Sequence, residues 1–371
     1  MTLLLRKGSP DACKAAVVVP FRGEKYLLVK GKSGWELPGG KIERGENAES
    51  AARRELAEET GYSPRRLRYV CRGGKQGECA IFTCELESIP AHGKLFAKPP
   101  STLSYGRAEF MEFLGAAWRA RTNYDEVARY FDSVRGTAGS STEVWLEKAF
   151  EALGKPHRKI VADIGCGSGR YALGLADLGC EVVGVDLSEG MLKEASRKGV
   201  GGKCGWVQGD AQSLPLKSKS ADCALMFLVI HHVPLWREAL AECACILKPG
   251  GIILIVTTSR TRLHSHSIRF FPGAKKIDQG RFQGIREIKG VLSSAGFTSI
   301  KSERVTVRRG NVSVDKTVER FRNKHISTLA LVPNDEFAGR LEAFERRLKK
   351  RYGAKMPDET ELTFISGRLS N

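Results

Sequence analysis

The spacing of apolar and polar positions divides the chain into two parts with different patterns. From Lys14 to about Leu114, short strand-like runs surround one clear helix, and after Trp118 strands and helices alternate. Regular alternation of this kind predicts a parallel sheet that is covered by helices on both faces. We therefore expect an α/β protein with two domains, residues 1–118 and residues 119–371.

The predicted elements follow from β-branched and aromatic runs and from helix stop signals. In the first part, a helix is expected from about Asn47 to Thr60, because Gly61 and Pro64 follow it. Strands are expected there at 15–20, 26–29 and 80–86. In the second part, strands are expected at 160–164, 181–186, 206–209, 221–230, 252–258, 297–307 and 361–365, with a helical insertion near 310–357.

The composition of the chain is that of an ordinary globular protein. Of the 371 residues, 42% are hydrophobic and 27% are charged, which excludes disordered, collagen-like and coiled-coil classes. No apolar run reaches the roughly 18 residues that a membrane span needs. The apolar stretch Leu3–Leu5 is too short for a secretory signal. These features predict a cytoplasmic protein that has no membrane partner.

The positive charge is concentrated in the last third of the chain, since residues 260–371 carry +12 of the net +18. A basic excess favours anionic partners such as nucleic acid or phosphorylated substrates, and solvated surface charge is the alternative. None of the 10 cysteines forms a C-x-x-C pair. The cysteines are therefore expected to be buried, reduced thiols rather than zinc ligands.

Three glutamates of the first predicted helix form a candidate metal site. Glu55, Glu58 and Glu59 are three and four residues apart, so they share one helix face and repel one another. A divalent cation removes that repulsion, and oxygen ligands of this kind suit Mg2+ or Mn2+. Arg54 is expected to pair with Glu46 and so to fix the loop that leads into the helix.

The residues from Gly40 to Tyr62 match the Nudix box, G-x5-E-x7-R-E-U-x-E-E-x-G-U with U apolar, at every defined position. The first part thus resembles a Nudix hydrolase domain, which implies an α/β/α sandwich that hydrolyses a nucleoside diphosphate linked to another group. By this resemblance the Gly40 carbonyl and the three glutamates hold the metal, and one glutamate also acts as base. Glu109 and Glu112 are candidates for a further acid from a later segment.

A glycine-rich turn in the second part ends one predicted strand and opens a helix. The turn contains Gly165, Gly167 and Gly169, and Asp186 closes the next strand 21 residues after Gly165. Gly209-Asp210-Ala211 closes the third strand, and Lys248-Pro249-Gly250-Gly251 precedes the fifth. Together these features resemble a class I S-adenosylmethionine-dependent methyltransferase, with a Rossmann-like, seven-stranded and mostly parallel sheet.

That resemblance implies a place for each part of the S-adenosylmethionine cofactor. The glycines let the backbone approach the cofactor closely, with Asp163 and Gly165 near its methionine part. Asp186 is expected to bind the ribose, Leu187 to flank the adenine, and Asp210 with Ala211 to read the adenine edge.

Two adjacent histidines follow the fourth strand, near the expected methyl acceptor. His231 or His232 is a candidate to orient or deprotonate the acceptor, and a packing role is the alternative. His264 and His266 follow the fifth strand, and their spacing is a weaker sign of a metal site.

These features support three hypotheses for the function. The first is a bifunctional enzyme that joins a Nudix hydrolase to a methyltransferase for a small-molecule acceptor. In the second, the Nudix domain only binds a nucleotide as a sensor. The third is an RNA- or tRNA-modifying methyltransferase, in which the Nudix domain binds nucleotides or processes RNA ends and the basic C-terminal third contacts nucleic acid.

Overall fold

The computed structural model describes residues 6, 8–74, 77–104, 106–121, 140–198, 204–260, 267–324 and 326–370. The chain forms two compact units. The first comprises Met1–Thr122, Pro272–Arg281 and Ser327–Glu342, and the second comprises Asn123–Phe271, Phe282–Ile326 and Ala343–Asn371. Two later segments thus belong with the first unit, and a single domain boundary after residue 118 stays a prediction.

A mixed sheet forms the centre of the first unit. Its strands are β1 (Ala15–Arg22), β2 (Lys25–Lys30), β3 (Trp35–Glu36), β4 (Gly39–Lys41), β5 (Arg68–Gly73), β6 (Cys79–Glu85) and β7 (Lys94–Phe96). They lie in the order β3-β2-β1-β6-β5, with β4 paired to β1 and β7 paired to β2. β1 runs parallel to β6 and antiparallel to β2 and β4. The three predicted strands are therefore present, each within a few residues of its expected ends.

Helix α1 (Ala48–Thr60) covers one face of this sheet. The Asn47 side chain accepts a hydrogen bond from the backbone N–H of Ser50 at 2.8 Å, and Gly61 ends the helix with a φ of 69°. Both are ordinary helix-capping arrangements. The buried face of α1 consists of three alanines, which allow close packing on the strands, and one leucine. Ala48, Ala51, Ala52 and Leu56 join Ala16, Val18, Ala80 and Phe82 in one core cluster.

Helix α2 (Arg107–Ala120) covers the opposite face. Its Trp118 ring lies 4.6 Å from the ring of Phe21 on β1. Because side chains alternate between the two faces along a strand, Phe21 and the α1-facing Val18 lie on opposite sides. The sheet therefore lies between two helices, which confirms the predicted α/β/α sandwich. The sequence reading missed α2, although its buried residues have helical spacing.

The second unit contains a seven-stranded sheet. Its strands are β8 (Ile160–Ile164), β9 (Glu181–Asp186), β10 (Cys204–Gln208), β11 (Ala221–Phe227), β12 (Leu247–Thr257), β13 (Phe297–Ser313) and β14 (Lys355–Leu369). The order is β10-β9-β8-β11-β12-β14-β13. The first five strands are parallel, and β14 and β13 are antiparallel to their neighbours. The mostly parallel sheet that the sequence predicts is confirmed.

Helices cover both faces of the second sheet. One core cluster joins α6 (Trp236–Ile246) and α8 (Ile285–Ser294) to Ala162, Ile164, Ala224 and Met226. The other cluster joins α3 (Ser140–Ala152) and α4 (Arg170–Asp177) to Val161, Cys223 and Leu225. The remaining helices of the described chain are α5 (Glu189–Lys198), α7 (Ala274–Arg281), α9 (Val314–Arg322), α10 (Ser327–Ala330) and α11 (Asn334–Tyr352).

The strand ends differ from prediction where long-range contacts decide them. β11 stops at Phe227 rather than near residue 230, because Leu228 has a φ of 54°. Backbone in that left-handed region cannot continue a strand. β13 and β14 are longer than predicted, because they pair with each other from Phe297 and Leu369 to Ser313 and Lys355. That pairing partner is distant in sequence, so local patterns do not reveal it.

No helix in the described ranges is long and apolar enough to cross a bilayer. This agrees with the absence of a long apolar run in the sequence, and the cytoplasmic location stays a prediction.

Candidate active sites

The first site lies at the junction of α1 and the loop before it, where Arg54 is the central residue. Its Nε and Nη2 donate to the two carboxylate oxygens of Glu46 at 3.1 and 3.0 Å, and Nη2 also donates to the Lys41 carbonyl at 3.1 Å. The predicted pair of Arg54 and Glu46 is confirmed. Two-point pairing of this kind holds the loop in one geometry relative to the helix.

Glu55 lies directly against Gly40. A Cβ atom at position 40 would be only 2.1 Å from Glu55 Oε1, so the carboxylate occupies the space of a side chain. Arg54 Nη1 also donates to Glu55 Oε1, at 2.8 Å. Glycine at position 40 is thus required for the carboxylate and the main chain to meet.

Glu58 and Glu59 complete the acidic group on α1. Glu58 is mostly exposed, and its Oε2 lies 3.4 Å from Arg54 Nη1. Glu59 Oε2 accepts the backbone N–H of Gly39 at 3.0 Å. The structure therefore brings Glu59 to Gly39 and Glu55 to Gly40, two adjacent residues at the start of β4.

The glutamates repel one another in this arrangement. Burial raises the pKa of Glu59, the negative charges of Glu55, Glu36 and Glu58 add to the increase, and the Gly39 N–H opposes it. Glu36 was missed by the sequence analysis, although it lies only four residues before Gly40. It joins the group because β3 pairs with β2, which sets it opposite Val29.

The metal assignment to Gly40, Glu55, Glu58 and Glu59 stays a prediction. Among the described residues, no group of three or more His, Cys, Asp or Glu side chains is arranged to hold a metal ion. The chemistry of the donors nevertheless fits a hard cation, since the negative charges of Glu55 and Glu58 help to raise the pKa of Glu59, and clustered carboxylate oxygens are ligands that Mg2+ and Mn2+ prefer. In the structure, the positive charge beside Glu55 and Glu58 is that of Arg54.

Glu109 and Glu112 lie on α2, which covers the opposite face of the sheet from α1. The structure therefore does not support either one as the further acid. The additional carboxylate that it brings to the group is that of Glu36.

The second site begins with the glycine-rich turn after β8. Gly165, Gly167 and Gly169 have φ values of 71°, 54° and 78°, a region that favours glycine. The Gly165 N–H donates to the Val185 carbonyl on β9 at 2.7 Å. A Cβ at Gly165 would lie 2.2 Å from the Val229 side chain. The three glycines thus allow a turn that no other residues would form without strain.

Asp186 joins this turn to the end of β9. One carboxylate oxygen accepts the N–H of Gly167 at 2.8 Å, and the other accepts the N–H of Ser188 at 2.9 Å. A carboxylate accepts hydrogen bonds and donates none, so it suits a ligand that offers hydroxyl groups. The carboxylate is therefore held in a fixed position where the glycine turn meets the end of β9.

Asp163 is buried beneath the turn, with 2% of its surface exposed. Burial, and after it the negative charge of Asp186, raises the pKa of Asp163 from its usual 3.8 to about 7, against a hydrogen bond from the Ala172 backbone. A buried carboxyl beside another negative charge favours its neutral form. Near neutral pH its charge state is thus evenly balanced.

Asp210 is held by a residue that the sequence analysis missed. Its two oxygens accept the backbone N–H of Gln212 at 2.9 Å and the side-chain amide of Gln212 at 2.8 Å, and Gln212 Oε1 accepts the N–H of Leu235 at 2.6 Å. Ala211 packs partly buried against the core. Leu187, directly after Asp186, is a large apolar side chain with 69% of its surface exposed.

The two histidines lie in a short 3-10 turn, Ile230–His232, just after β11. His231 is 4% exposed and stacks on the ring of Phe282 at 4.0 Å, and the His232 ring lies 4.0 Å from it. Gln283 Nε2 donates to the Ile230 carbonyl at 3.3 Å. Phe282 and Gln283 were not predicted, because they lie about fifty residues further along the chain. His264 and His266 lie outside the described residues.

Family models match both parts of the chain. A model described as NUDIX domain matches residues 12–129, and one described as Methyltransferase domain matches residues 162–255. A malonyl-[acyl-carrier protein] O-methyltransferase of Methylococcus capsulatus is 30% identical over 199 residues, which cover 53% of this chain and 69% of that protein. The chain belongs to the methyltransferase family. Its methyltransferase domain follows a Nudix domain, as the sequence predicts.

Two further comparisons concern the methyltransferase domain. A tRNA (carboxymethyluridine(34)-5-O)-methyltransferase of Arabidopsis thaliana is 32% identical over 135 residues, which cover 36% of this chain and 30% of that protein. The crystal structure of a methyltransferase from an antibiotic biosynthesis pathway of Anabaena variabilis has a TM-score of 0.51 and 23% identity, and covers 61% of this chain and 97% of that chain. The structural similarity confirms the class I methyltransferase fold. S-adenosylmethionine is the methyl donor of such domains.

Proposed function

We propose that the protein is a bifunctional enzyme. Its Nudix domain hydrolyses a nucleoside diphosphate linked to another group, and its methyltransferase domain transfers a methyl group from S-adenosylmethionine to a small-molecule acceptor. The observation that carries the first half is the glutamate group at Gly40, because a pure nucleotide sensor has no need of repelling carboxylates. The observation that carries the second half is the Asp186 carboxylate held at the glycine turn.

In the Nudix domain, the Gly40 carbonyl and the carboxylates of Glu55, Glu58 and Glu59 would hold Mg2+ or Mn2+. The cation would neutralise the diphosphate and activate water for attack. Arg54 fixes the loop through Glu46 and leaves Glu55 against Gly40. These residues thus place negative oxygens on one side of the turn, and one glutamate would take the proton of the attacking water.

In the methyltransferase domain, the turn and the strand ends would bind the cofactor. Gly165, Gly167 and Gly169 would allow close backbone approach, and Asp163 would lie near the methionine part. Asp186 would accept the ribose hydroxyls. Leu187, Asp210 and Ala211 would contact the adenine, which would cover the exposed Leu187 side chain.

Methyl transfer is an in-line displacement that depends mainly on positioning and on exclusion of water. The acceptor would lie beside the turn that carries His231 and His232. His231 is buried under Phe282, so its stacked ring fixes the turn, and His232 is the more exposed of the two. His232 would orient or deprotonate an acceptor that needs a base.

A substrate panel read by mass spectrometry tests both halves. Nucleoside diphosphate derivatives are incubated with Mg2+ and scored for cleavage. Methyl acceptors are incubated with S-adenosylmethionine and scored for a product one methyl group heavier. The acceptors are a malonyl thioester and carboxymethyluridine, suggested by the names of two relatives, with an acetyl thioester, a hydroquinone and a primary amine. A chain that binds neither metal nor S-adenosylmethionine would contradict the proposal.

The pH dependence of cofactor binding follows from the pKa of Asp163. Because that pKa is about 7 in the folded protein, Asp163 is neutral at lower pH and cannot attract the positive charges of S-adenosylmethionine. We expect the affinity to rise as the pH increases from 5.5 to 7, by up to about tenfold per pH unit. Calorimetry at several pH values measures the affinity for S-adenosylmethionine. The Asp163→Asn variant should bind with little pH dependence, and an equally flat wild-type profile would count against the assignment.

A tRNA substrate is the second candidate. It is favoured by the relative named as a tRNA methyltransferase and by the +12 charge of residues 260–371. Proteins that neutralise several phosphates lose affinity steeply with salt. If tRNA is the substrate, we expect binding to weaken by at least about tenfold between 50 and 200 mM salt. Fluorescence anisotropy with labelled tRNA measures this salt dependence. An equal affinity for a neutral polymer would exclude tRNA as the substrate.

A further inference from the structure

Arg260 lies beside the turn that carries the two histidines. It comes three residues after the end of β12, and β12 runs parallel to β11, whose end leads into that turn. Parallel neighbouring strands place their carboxyl ends at the same edge of a sheet, where ligands of open α/β sheets bind. Arg260 is therefore located at the edge where the acceptor is expected.

The backbone at Phe282 and Gln283 holds Arg260 in place. The side-chain Nε of Arg260 donates to the Phe282 carbonyl at 2.6 Å. The backbone N–H of Arg260 donates to the Gln283 carbonyl at 3.4 Å. Phe282 is the residue whose ring stacks on His231. The guanidinium group and the histidine turn are thus linked through one residue, and their relative positions are fixed.

The two terminal nitrogens of Arg260 are available to a ligand. Within the described part of the chain, neither has a hydrogen-bond or ion-pair partner. The positive charge of Arg260 helps to lower the pKa of Glu287. Glu287 itself already pairs with Arg237 at 2.8 Å. An arginine fork held through Nε presents two parallel donors, which match the two oxygens of a carboxylate.

We propose that Arg260 binds the methyl acceptor, and that the acceptor presents a carboxylate which is itself methylated. This inference rests on the methyl transfer proposed above. One carboxylate oxygen attacks the sulfonium methyl carbon, a C–O bond forms, and the S–CH3 bond breaks with its electron pair moving to sulfur. The acceptor loses its negative charge and the donor its positive charge, so the products are a methyl ester and a neutral thioether. No proton is transferred and no base is required.

Steady-state methyl transfer to the malonyl thioester and to carboxymethyluridine tests the proposal. In Arg260→Gln, the KM for a carboxylate acceptor should rise about 10- to 100-fold, as expected when a charge-assisted contact is lost. Arg260→Lys keeps the positive charge but loses the two parallel donors. Its KM for a carboxylate acceptor should lie between the values of the wild type and of Arg260→Gln. Arg237→Gln removes a nearby surface arginine that already pairs with Glu287, and its KM should stay at the wild-type value.

The controls separate this inference from the proposed function. Calorimetry should show unchanged S-adenosylmethionine affinity in all three variants, and melting curves identify any variant that does not fold. If the wild type does not bind S-adenosylmethionine, the proposed function fails. If it binds the cofactor but methylates no carboxylate, or if Arg260→Gln keeps the wild-type KM for both carboxylates, the carboxylate assignment alone is overturned. A preference between the two carboxylates identifies which source fits the site.

Discussion

The Glu58→Gln variant is expected to hydrolyse the Nudix substrate at least about 100-fold more slowly than the wild type, the scale of loss when a metal ligand or general base is removed. Glu58 is mostly exposed and its oxygen lies 3.4 Å from Arg54. Its replacement therefore disturbs little of the fold but removes a charge from the group that would hold the cation. The rate is measured by mass spectrometry on the substrate that the panel identifies.

Glu49→Gln is the matched control for this variant. Glu49 lies on the same helix and is also exposed, and it pairs with Arg53 at 2.8 Å. Its hydrolysis rate should remain at the wild-type level. Mn2+ binding, followed by calorimetry without substrate, should weaken in Glu58→Gln and not in Glu49→Gln. Wild-type Mn2+ affinity and turnover in Glu58→Gln would exclude Glu58 as a ligand or base.

Features that depend on near neighbours in the sequence were predicted correctly. Arg54 and Glu46 are eight residues apart, on either side of the start of α1. Both belong to the Nudix box, so the motif alone predicts that they pair. The ends of α1 follow from Asn47 and Gly61 for the same reason. The glycine turn is likewise specified locally, because three positive φ angles within five residues require glycine.

Features that depend on distant segments were missed. Glu36 joins the glutamate group only through the register of β2 with β3. Phe282 and Gln283 reach the histidine turn from a segment about fifty residues away, and nothing near His231 in the sequence indicates them. The early end of β11 depends on the backbone of Leu228, whose N–H donates to the Val256 carbonyl on the neighbouring strand at 2.8 Å.

The same distinction applies to the choice between histidine roles. In sequence, His231 and His232 are equivalent neighbours. In the structure, His231 is buried between Phe282 and His232, and the other histidine is partly exposed. The ring that covers His231 comes from Phe282, in the segment before α8, so local spacing could not separate a packing histidine from one that touches the acceptor.

Asp186→Asn is expected to weaken S-adenosylmethionine binding by about 10- to 100-fold, because hydrogen bonds to a charged group are each worth roughly 1.5–3 kcal/mol. Asparagine keeps the size of the side chain but has one acceptor oxygen and no charge. Loss of affinity alone does not prove ribose contact, since Asp186 also accepts the N–H groups of Gly167 and Ser188. The test therefore needs a change on the ligand as well.

A 2′-deoxy analogue of S-adenosylhomocysteine supplies that change in a double-mutant cycle. If Asp186 accepts a ribose hydroxyl, the wild type should bind the analogue about 10- to 100-fold more weakly than the parent compound, and Asp186→Asn should bind both alike. Asp222→Asn is the control, because Asp222 accepts the Ile160 N–H at 3.0 Å where β8 begins, at the other end of that strand. It should keep the wild-type preference. Independent effects of the mutation and the deoxy substitution would show that Asp186 only shapes the turn.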